Sequence, residues 1–260
     1  MSPARRDANK VGDGRAAEAA TISDYKRRTI VRARSRHGGF VENQLASHEA
    51  IAGIAVPDSA IARAATQLVR DTEDELMFNH SRRVFFWGAL TGKRKSISFD
   101  AELLYLGAMF HDIGLTPAYS SPNLRFEVDG ANAARDFLES YGVDERDVED
   151  VWTAIALHTT PGVPEHMRPT IALLTAGVEM DVLGIAYHDF TAEQRQHVCE
   201  HHPREVNFKE CIISHFADGI IGKPATTFGN VKADVLALRD PEHFVRSNFC
   251  SLILGSPWPN

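Results

Sequence analysis

The sequence predicts an all-α fold, and three features of the chain support this prediction. Apolar residues recur at helical spacing over most of the chain, whereas the apolar–polar alternation of an exposed strand is nearly absent. Glycines and prolines separate these periodic segments. The chain has 260 residues, 43% of them hydrophobic, so it can bury one sizeable core. One helical bundle over about residues 56–250 is the simplest architecture with these properties.

Capping residues and helix breakers set the expected helix boundaries. Asp58 or Ser59 can cap the first helix, and Asp100 is the expected cap of the third, because such side chains accept hydrogen bonds from the free N–H groups of the first turn. The third helix should end at His111, because Gly114 and Pro117 follow it. We expect helices near residues 59–70, 74–90, 100–111, 128–140, 145–158, 168–186, 191–200, 205–221 and 241–249.

The two ends of the chain differ from its body in composition. Residues 1–22 lack apolar periodicity and are predicted to be a disordered tail, residues 23–55 form a basic extension, and residues 251–260 form a C-terminal tail. The first 40 residues contain ten Lys/Arg and four Asp/Glu, a balance of +6, so the net charge of −7 leaves −13 for the remainder. The basic residues of this extension are typical of a solvated tail, and an Arg-rich targeting segment is the alternative interpretation. The acidic body argues against nucleic acid as a partner.

The composition also narrows the class of protein. No apolar run approaches the roughly 20 residues of a membrane-spanning helix, and the N-terminus lacks the apolar segment of a secretory signal. The three cysteines are far apart and form no CxxC pair, which argues against a disulfide framework and against a thiolate zinc site. We therefore expect a cytoplasmic protein without a membrane partner. Assembly into a homo-oligomer stays open.

The adjacent pair His111 and Asp112 is the most informative dipeptide of the chain. His111 continues an apolar stripe of the third helix, in which Leu104, Gly107 and Ala108 precede it. A histidine on such a face can be an ordinary core residue. A buried aspartate needs a partner, because an unpaired carboxylate is expensive to desolvate. A metal ion would satisfy both side chains.

Two other helices also carry a polar residue on an otherwise apolar face. His80 shares a face with Val84 and Trp87, and Asp181 lies in an otherwise apolar stripe of Ile171, Leu174, Val178 and Ile185. Two histidines and two aspartates on the inner faces of three helices can converge in a bundle. Such a set suits Zn²⁺, and also Fe²⁺ or Mn²⁺. Spacing alone leaves open whether these residues bind metal or are satisfied within the core.

The pattern of His80, the His111-Asp112 pair and Asp181 resembles the HD-domain superfamily of metal-dependent hydrolases. The surrounding motifs resemble one branch of it, the cyanamide hydratase-like proteins of fungi and bacteria. These motifs are NHSxRV at 79–84, FHDIGLT at 110–116, RFExDGA at 125–131, AIxLH at 154–158, PR at 203–204 and FK at 208–209.

The resemblance implies an all-helical domain and one divalent metal, zinc above all, bound by His80, His111, Asp112 and Asp181. It also implies addition of water to a small neutral nitrile-type substrate, which converts cyanamide to urea. A zinc-bound hydroxide would be the nucleophile. Asp112, which follows a ligand directly, could also orient the water or relay a proton.

Three further residues are candidates for catalysis or substrate binding, each with a structural alternative. Thr116 could hydrogen-bond a substrate or the local backbone. Glu127 could contact substrate or pair with Arg83 or Arg125. His158 ends an apolar helix face and could contact the substrate or support the metal site. A second metal would need another histidine, for which His166 is the candidate.

Three alternatives compete with the hydratase. A nucleotide or phosphoester hydrolase needs Lys or Arg near the metal, yet residues 113–122 contain no basic residue. Arg82 and Arg83 beside His80 keep this alternative open. A dinuclear-iron oxygenase would need extra histidine ligands. A degenerate module used only for binding is disfavoured by the intact set of candidate ligands.

Overall fold

A computed structural model of the protein describes residues 50–258. Regular structure within this range is helical, and the only strand-like pairing there is an isolated bridge between Ile51 and Ile54. The predicted all-α class is therefore confirmed. The predicted disordered tail, residues 1–22, and most of the basic extension, residues 23–55, lie outside the described residues.

Ten α-helices form the described part of the chain. They are α1 (Ala60–Thr72), α2 (Glu75–Arg94), α3 (Ala101–Phe110), α4 (Phe126–Ser140), α5 (Glu145–Leu157), α6 (Pro169–Val178), α7 (Ala192–His201), α8 (Phe208–Ile220), α9 (Lys232–Arg239) and α10 (Phe249–Leu254). Short 3₁₀ helices span Ile113–Leu115, Pro164–His166, Tyr187–Asp189 and Pro224–Thr227, and a π-helical turn spans Glu179–Leu183. No helix between residues 50 and 258 is long and apolar enough to cross a bilayer.

Polar side chains cap the first three helices, and those of the first and third helices are among the predicted caps. The Ser59 hydroxyl accepts from the N–H of Ala62, the Asp74 carboxylate accepts from Met77, and the Asp100 carboxylate accepts from Glu102 and Leu103. Each side chain thus satisfies N–H groups that have no partner within the helix. Helix α3 ends at Phe110 with His111 as its C-terminal cap residue, so the His-Asp pair lies at the end of a helix, as predicted.

Two predictions about helix extent are wrong. Residues 241–247 are not helical. Asn248 instead caps the start of α10, so a helix begins where one was expected to end and continues into the predicted C-terminal tail. The helix expected over 168–186 is α-helical only to Val178, continues as the π-helical turn, and stops at Gly184, whose φ of +71° is left-handed. Ile185 is consequently 49% exposed and does not extend the buried stripe.

Helices α2 and α6 cross at two glycines. A Cβ on Gly177 would lie 2.3 Å from the Val84 carbonyl oxygen, and one on Gly88 would lie 2.6 Å from the Leu173 oxygen. Any larger residue would force these helices apart, because backbone atoms cannot move aside singly. The close crossing brings the face of α2 that carries His80 next to the π-helical turn that carries Asp181.

The turn after α3 docks against the start of α4 in a similar way. A Cβ on Gly114 would lie 2.0 Å from the Phe126 carbonyl oxygen and 2.7 Å from the N atom of Gly130. The FHDIGLT and RFExDGA motifs are therefore in direct backbone contact. This contact places the His-Asp pair beside Glu127, near the first turn of α4.

Candidate metal centre

Three of the four predicted metal ligands converge on one point. The Nε2 atoms of His80 and His111 lie 3.2 Å apart, the Nε2 of His111 lies 3.2 Å from Oδ2 of Asp112, and the Nε2 of His80 lies 3.5 Å from the same oxygen. All three side chains are buried, at no more than 1% exposure. A histidine in the second turn of α2 thus meets the pair at the end of α3.

Backbone and carboxylate acceptors determine which nitrogen of each imidazole carries the proton. Nδ1 of His80 lies 2.7 Å from Oδ2 of Asp181, Nδ1 of His111 lies 2.8 Å from the Ala108 carbonyl oxygen, and Nδ1 of His158 lies 2.7 Å from the Ile155 oxygen. Carbonyl and carboxylate oxygens only accept, so each Nδ1 donates. In the neutral rings every Nε2 therefore presents a lone pair to the neighbourhood of Asp112.

This arrangement fits a bound cation. Two imidazole lone pairs facing each other at 3.2 Å repel unless a proton or a metal lies between them. Both oxygens of Asp112 are buried, and the described residues offer them no hydrogen bond of acceptable geometry. Adjacent tetrahedral zinc ligands lie roughly 3.4 Å apart, close to the separations among the three donors. These donors meet the requirements of a divalent metal.

The charges at the centre follow from the same contacts. Burial opposes ionisation of Asp112, but the neighbouring imidazoles of His111, His158 and His80 hold its pKa well below the usual range. Burial also opposes protonation of His80, yet Asp112 and Asp181 together raise its pKa, whereas burial lowers the pKa of His111. Without metal, a proton therefore favours His80 over His111.

Asp181, the fourth predicted ligand, lies on the other edge of the His80 ring. Its carboxylate contacts Nδ1 of His80, not Nε2, and it also accepts from Arg83, Trp87 and Arg204. It is not a member of the donor group that His80, His111 and Asp112 form. The sequence correctly indicated a buried aspartate that needs partners, and direct metal binding by Asp181 stays a prediction from the resemblance.

Of the candidates His158, Thr116 and His166, only His158 lies at the centre. His158 belongs to the centre, because its Nε2 lies 3.5 Å from Oδ1 of Asp112 and its ring centroid lies 5.0 Å from that of His111. Thr116 donates its hydroxyl hydrogen bond to the Ile113 carbonyl oxygen at 2.7 Å, which is the local role considered for it. The side chain of His166 is 77% exposed and contacts Glu165, and it is not in the donor group.

Glu127 anchors a buried polar network next to His158. The Thr159 hydroxyl donates to its Oε1, and the Asn230 amide donates to the same oxygen at 3.0 Å and to Thr159 Oγ1 at 2.8 Å. Of the two structural pairings considered for Glu127, the one with Arg83 is wrong, because Arg83 pairs with Asp181. The network ties α4 to residues just before α9.

Sequence reasoning missed Lys232, a buried lysine near the metal centre. Its Nζ lies 3.1 Å from the ring centroid of Phe216 and 5.2 Å from that of Phe126, whose ring in turn lies 5.7 Å from that of His158. Burial lowers the Lys232 pKa to about 8, although the charges of Asp112 and Glu127 oppose this shift. No helical stripe in the sequence marks this position as buried.

Glu73, just before α2, was missed as well. It is 8% exposed, and the Ser81 hydroxyl donates to its Oε2 at 3.4 Å. Burial, and then the charge of Asp112, raise the pKa of Glu73 well above the usual range. The result is a carboxyl group whose neutral form is favoured close to the ionised Asp112. The only sequence signal was an acidic residue next to the capping Asp74.

The residues of the candidate metal centre lie within a match to a known protein family. The HD domain family matches residues 77–220, more than half of the chain. The match includes His80, His111, Asp112, His158 and Asp181, whereas Glu73, Asn230 and Lys232 lie outside it. No curated protein matches the chain.

Proposed function

The chain belongs to the HD domain family, and on that premise we propose that it is a metal-dependent enzyme that adds activated water to its substrate. One observation supports the proposal above all. His80, His111 and Asp112 direct two imidazole lone pairs and a carboxylate without hydrogen bonds at one buried point. The described residues supply this carboxylate with no hydrogen bond of acceptable geometry, and a bound divalent cation would satisfy all three groups at once.

In this proposal His80, His111 and Asp112 hold one divalent metal, which when bound supplies a water whose pKa is lowered to about 7. Two imidazoles and a carboxylate suit zinc, and also iron or manganese. His158 and Asp112 are the groups that would transfer protons during the reaction. Nδ1 of His158 is committed to the Ile155 oxygen, so its Nε2 can take up a proton at the centre and release it to the substrate.

For the substrate we propose a small neutral nitrile, with cyanamide as the first to test. Water adds across the C≡N bond, so that oxygen joins the carbon, the nitrogen gains protons, and cyanamide yields urea. Support comes from the run of motifs shared with the hydratase-like branch and from the uncharged segment 113–122 after the His-Asp pair. The neutral segment disfavours an anionic substrate.

A phosphoester hydrolase is the second candidate, and Lys232 is the observation that favours it. The segment after the His-Asp pair is uncharged, but the fold brings a buried lysine from α9 to the aromatic ring that packs on His158. A buried ammonium group is costly and suits a site that receives an anion. The dinuclear-iron alternative gains no such support, because His166 lies exposed.

Metal analysis combined with two assays on the same preparation tests the proposal. The full chain should bind about one divalent metal. The replacements His111→Ala and Asp112→Ala should remove the metal and all activity, whereas exposed His166→Ala is the matched control and should retain both. Urea from millimolar cyanamide supports the hydratase. Phosphate from nucleoside monophosphates, without urea, supports the second candidate. Metal binding that survives both ligand replacements contradicts the proposed centre.

A further inference from the structure

The ammonium group of Lys232 is buried without a hydrogen-bond acceptor among residues 50–258. The residue is 7% exposed. Its Nζ lies over the ring of Phe216, 3.1 Å from the centroid, and 5.2 Å from the centroid of the Phe126 ring. The described residues offer it neither a hydrogen bond nor a carboxylate within ion-pair distance. The two rings cover part of the group, so N–H donors of the ammonium remain available to a ligand.

The position of Lys232 in its helix adds to the cost of this charge. Lys232 is the first residue of α9, and its backbone N–H donates to Oδ1 of Asn230 at 2.8 Å. The start of a helix carries a partial positive charge, which repels a cation and attracts an anion. Burial also disfavours the charged form, because it lowers the pKa of the ammonium group to about 8. A negatively charged atom of a ligand would offset both costs.

Lys232 lies beside the candidate metal centre. The Phe126 ring, which packs on Lys232, also packs on His158, with the two ring centroids 5.7 Å apart. Nε2 of His158 in turn lies 3.5 Å from Oδ1 of Asp112. The charges of Asp112 and Glu127 both act on the ammonium group and oppose the pKa shift that burial produces. A substrate held at the metal centre would therefore have this cation in its surroundings.

Two arginines of α2, which flank the centre on another side, are already paired. Arg82 donates to the hydroxyl oxygen of Tyr105, and Arg83 forms a buried ion pair through its Nε. The segment 113–122, which follows the His-Asp pair, contains no basic residue. Lys232 thus brings positive charge to the centre from α9, a helix that lies beyond the residues matched by the HD domain family.

We propose that Lys232 is a catalytic residue whose ammonium group donates a hydrogen bond to the substrate atom that becomes negatively charged when water adds. The inference rests on the proposed function and adds a residue to it. In a nitrile, the water oxygen bonds to the carbon, one electron pair of the C≡N bond moves to the nitrogen, and the nitrogen then takes up a proton from His158. In a phosphoester, the charge develops on the phosphoryl oxygens. A donor already in place, in a site without water, stabilises either charge.

Steady-state kinetics of the full-length, metal-loaded protein test the proposal on whichever substrate it turns over. Lys232→Met should lower kcat about 10²- to 10³-fold, the loss typical of removing one such donor, with the metal content unchanged. Wild-type activity should fall above about pH 8, where Lys232 loses its proton, and the variant should lack this fall. Lys209→Met, at an exposed position, is the matched control and should keep the wild-type kcat and pH profile. A Lys232→Met variant with the wild-type kcat overturns the inference.

A binding experiment tests Lys232 without relying on turnover. In ¹⁵N-lysine-labelled protein, the Nζ signal that is missing in Lys232→Met should shift when inorganic phosphate is added. Phosphate affinity should fall about 10- to 100-fold in Lys232→Met, as expected for loss of a charge-assisted hydrogen bond, and should not change in Lys209→Met. A signal that does not respond, or an affinity equal in all three proteins, overturns the inference. A signal that responds in a protein without activity on cyanamide or nucleotides supports Lys232 as the anion-binding residue and contradicts the proposed function instead.

Discussion

Replacement of Lys232 by methionine should stabilise the protein at neutral pH. The lysine is buried, and burial lowers its pKa from 10.5 to about 8. A change of one pKa unit corresponds to about 1.4 kcal/mol, so keeping this group charged in the folded protein costs on the order of 3 kcal/mol. Methionine has a similar length and packs well against aromatic rings, so it should fill the space beside Phe216 and Phe126.

The sign of the pH dependence follows from the two pKa values. Between pH 8 and 10.5 the unfolded chain keeps the Lys232 proton, whereas the folded chain has lost it. Stability therefore rises with pH in this window, because the unfolded state binds more protons. The full cost is present below about pH 8 and disappears above about pH 10.5. The stability gain of Lys232→Met should shrink over the same interval.

Contacts of the ammonium group with the two rings reduce the net gain. Cation–π interactions contribute about 1–2 kcal/mol when desolvated, so we expect a gain of about 1–2 kcal/mol at pH 7. Urea unfolding of the full-length variants at pH 7, 9 and 10.5 measures this gain. Lys209→Met is the control, because Lys209 is exposed and has no desolvation cost to recover. A Lys232→Met variant that is less stable at pH 7, or a gain independent of pH, would refute the reasoning.

Three further predictions concern the metal, a helix crossing and the tail. Zinc affinity should fall as the pH falls, because protons compete with zinc for His80. Burial opposes protonation of His80, but Asp112 and Asp181 raise its pKa above the ordinary value. Zinc titrations from pH 8.5 to 5 measure the effect, and an affinity independent of pH would contradict it. Gly177→Ala should lower the free energy of unfolding by more than about 2 kcal/mol, because the added Cβ would lie 2.3 Å from the Val84 carbonyl oxygen. Urea unfolding measures this loss. Gly222→Ala is the control, because no atom lies within 4 Å of a Cβ at that position. Deletion of residues 1–22 should leave thermal stability and turnover nearly unchanged, and a large loss of either would show that these residues contribute to the domain.

The helices and their caps could be predicted because the signals are local. Ser59, one of two residues expected to cap the first helix, and Asp100 cap helices in the structure as the sequence indicated, since a cap depends only on the next three residues. The prediction failed where local signals compete. Residues 241–249 have moderate helical character, but the cap at Asn248 starts a new helix instead. The stripe through Asp181 ended early because Gly184 stops the helix.

The sequence by itself indicated which buried polar groups lie at or beside the candidate metal centre. His80, His111, Asp112 and Asp181 were recognisable because polar residues in an apolar stripe must find partners. Which partners they find was decided by tertiary contacts. Asp181 meets Nδ1 of His80 and the guanidinium of Arg83 because the glycine crossing of α2 and α6 brings these side chains together, and Arg204 reaches it from the segment between α7 and α8.

Only the tertiary structure determines which residues surround the candidate metal centre. Glu73, Asn230 and Lys232 lie outside the apolar stripes and have no short-range pattern that marks them as buried. Asn230 and Lys232 approach the centre because a segment distant in sequence folds over it, which brings Lys232 of α9 close to Phe126 of α4. Glu73 lies just before α2, the helix that carries His80. Periodicity reports which face of one helix is buried, but not which distant segment covers that face.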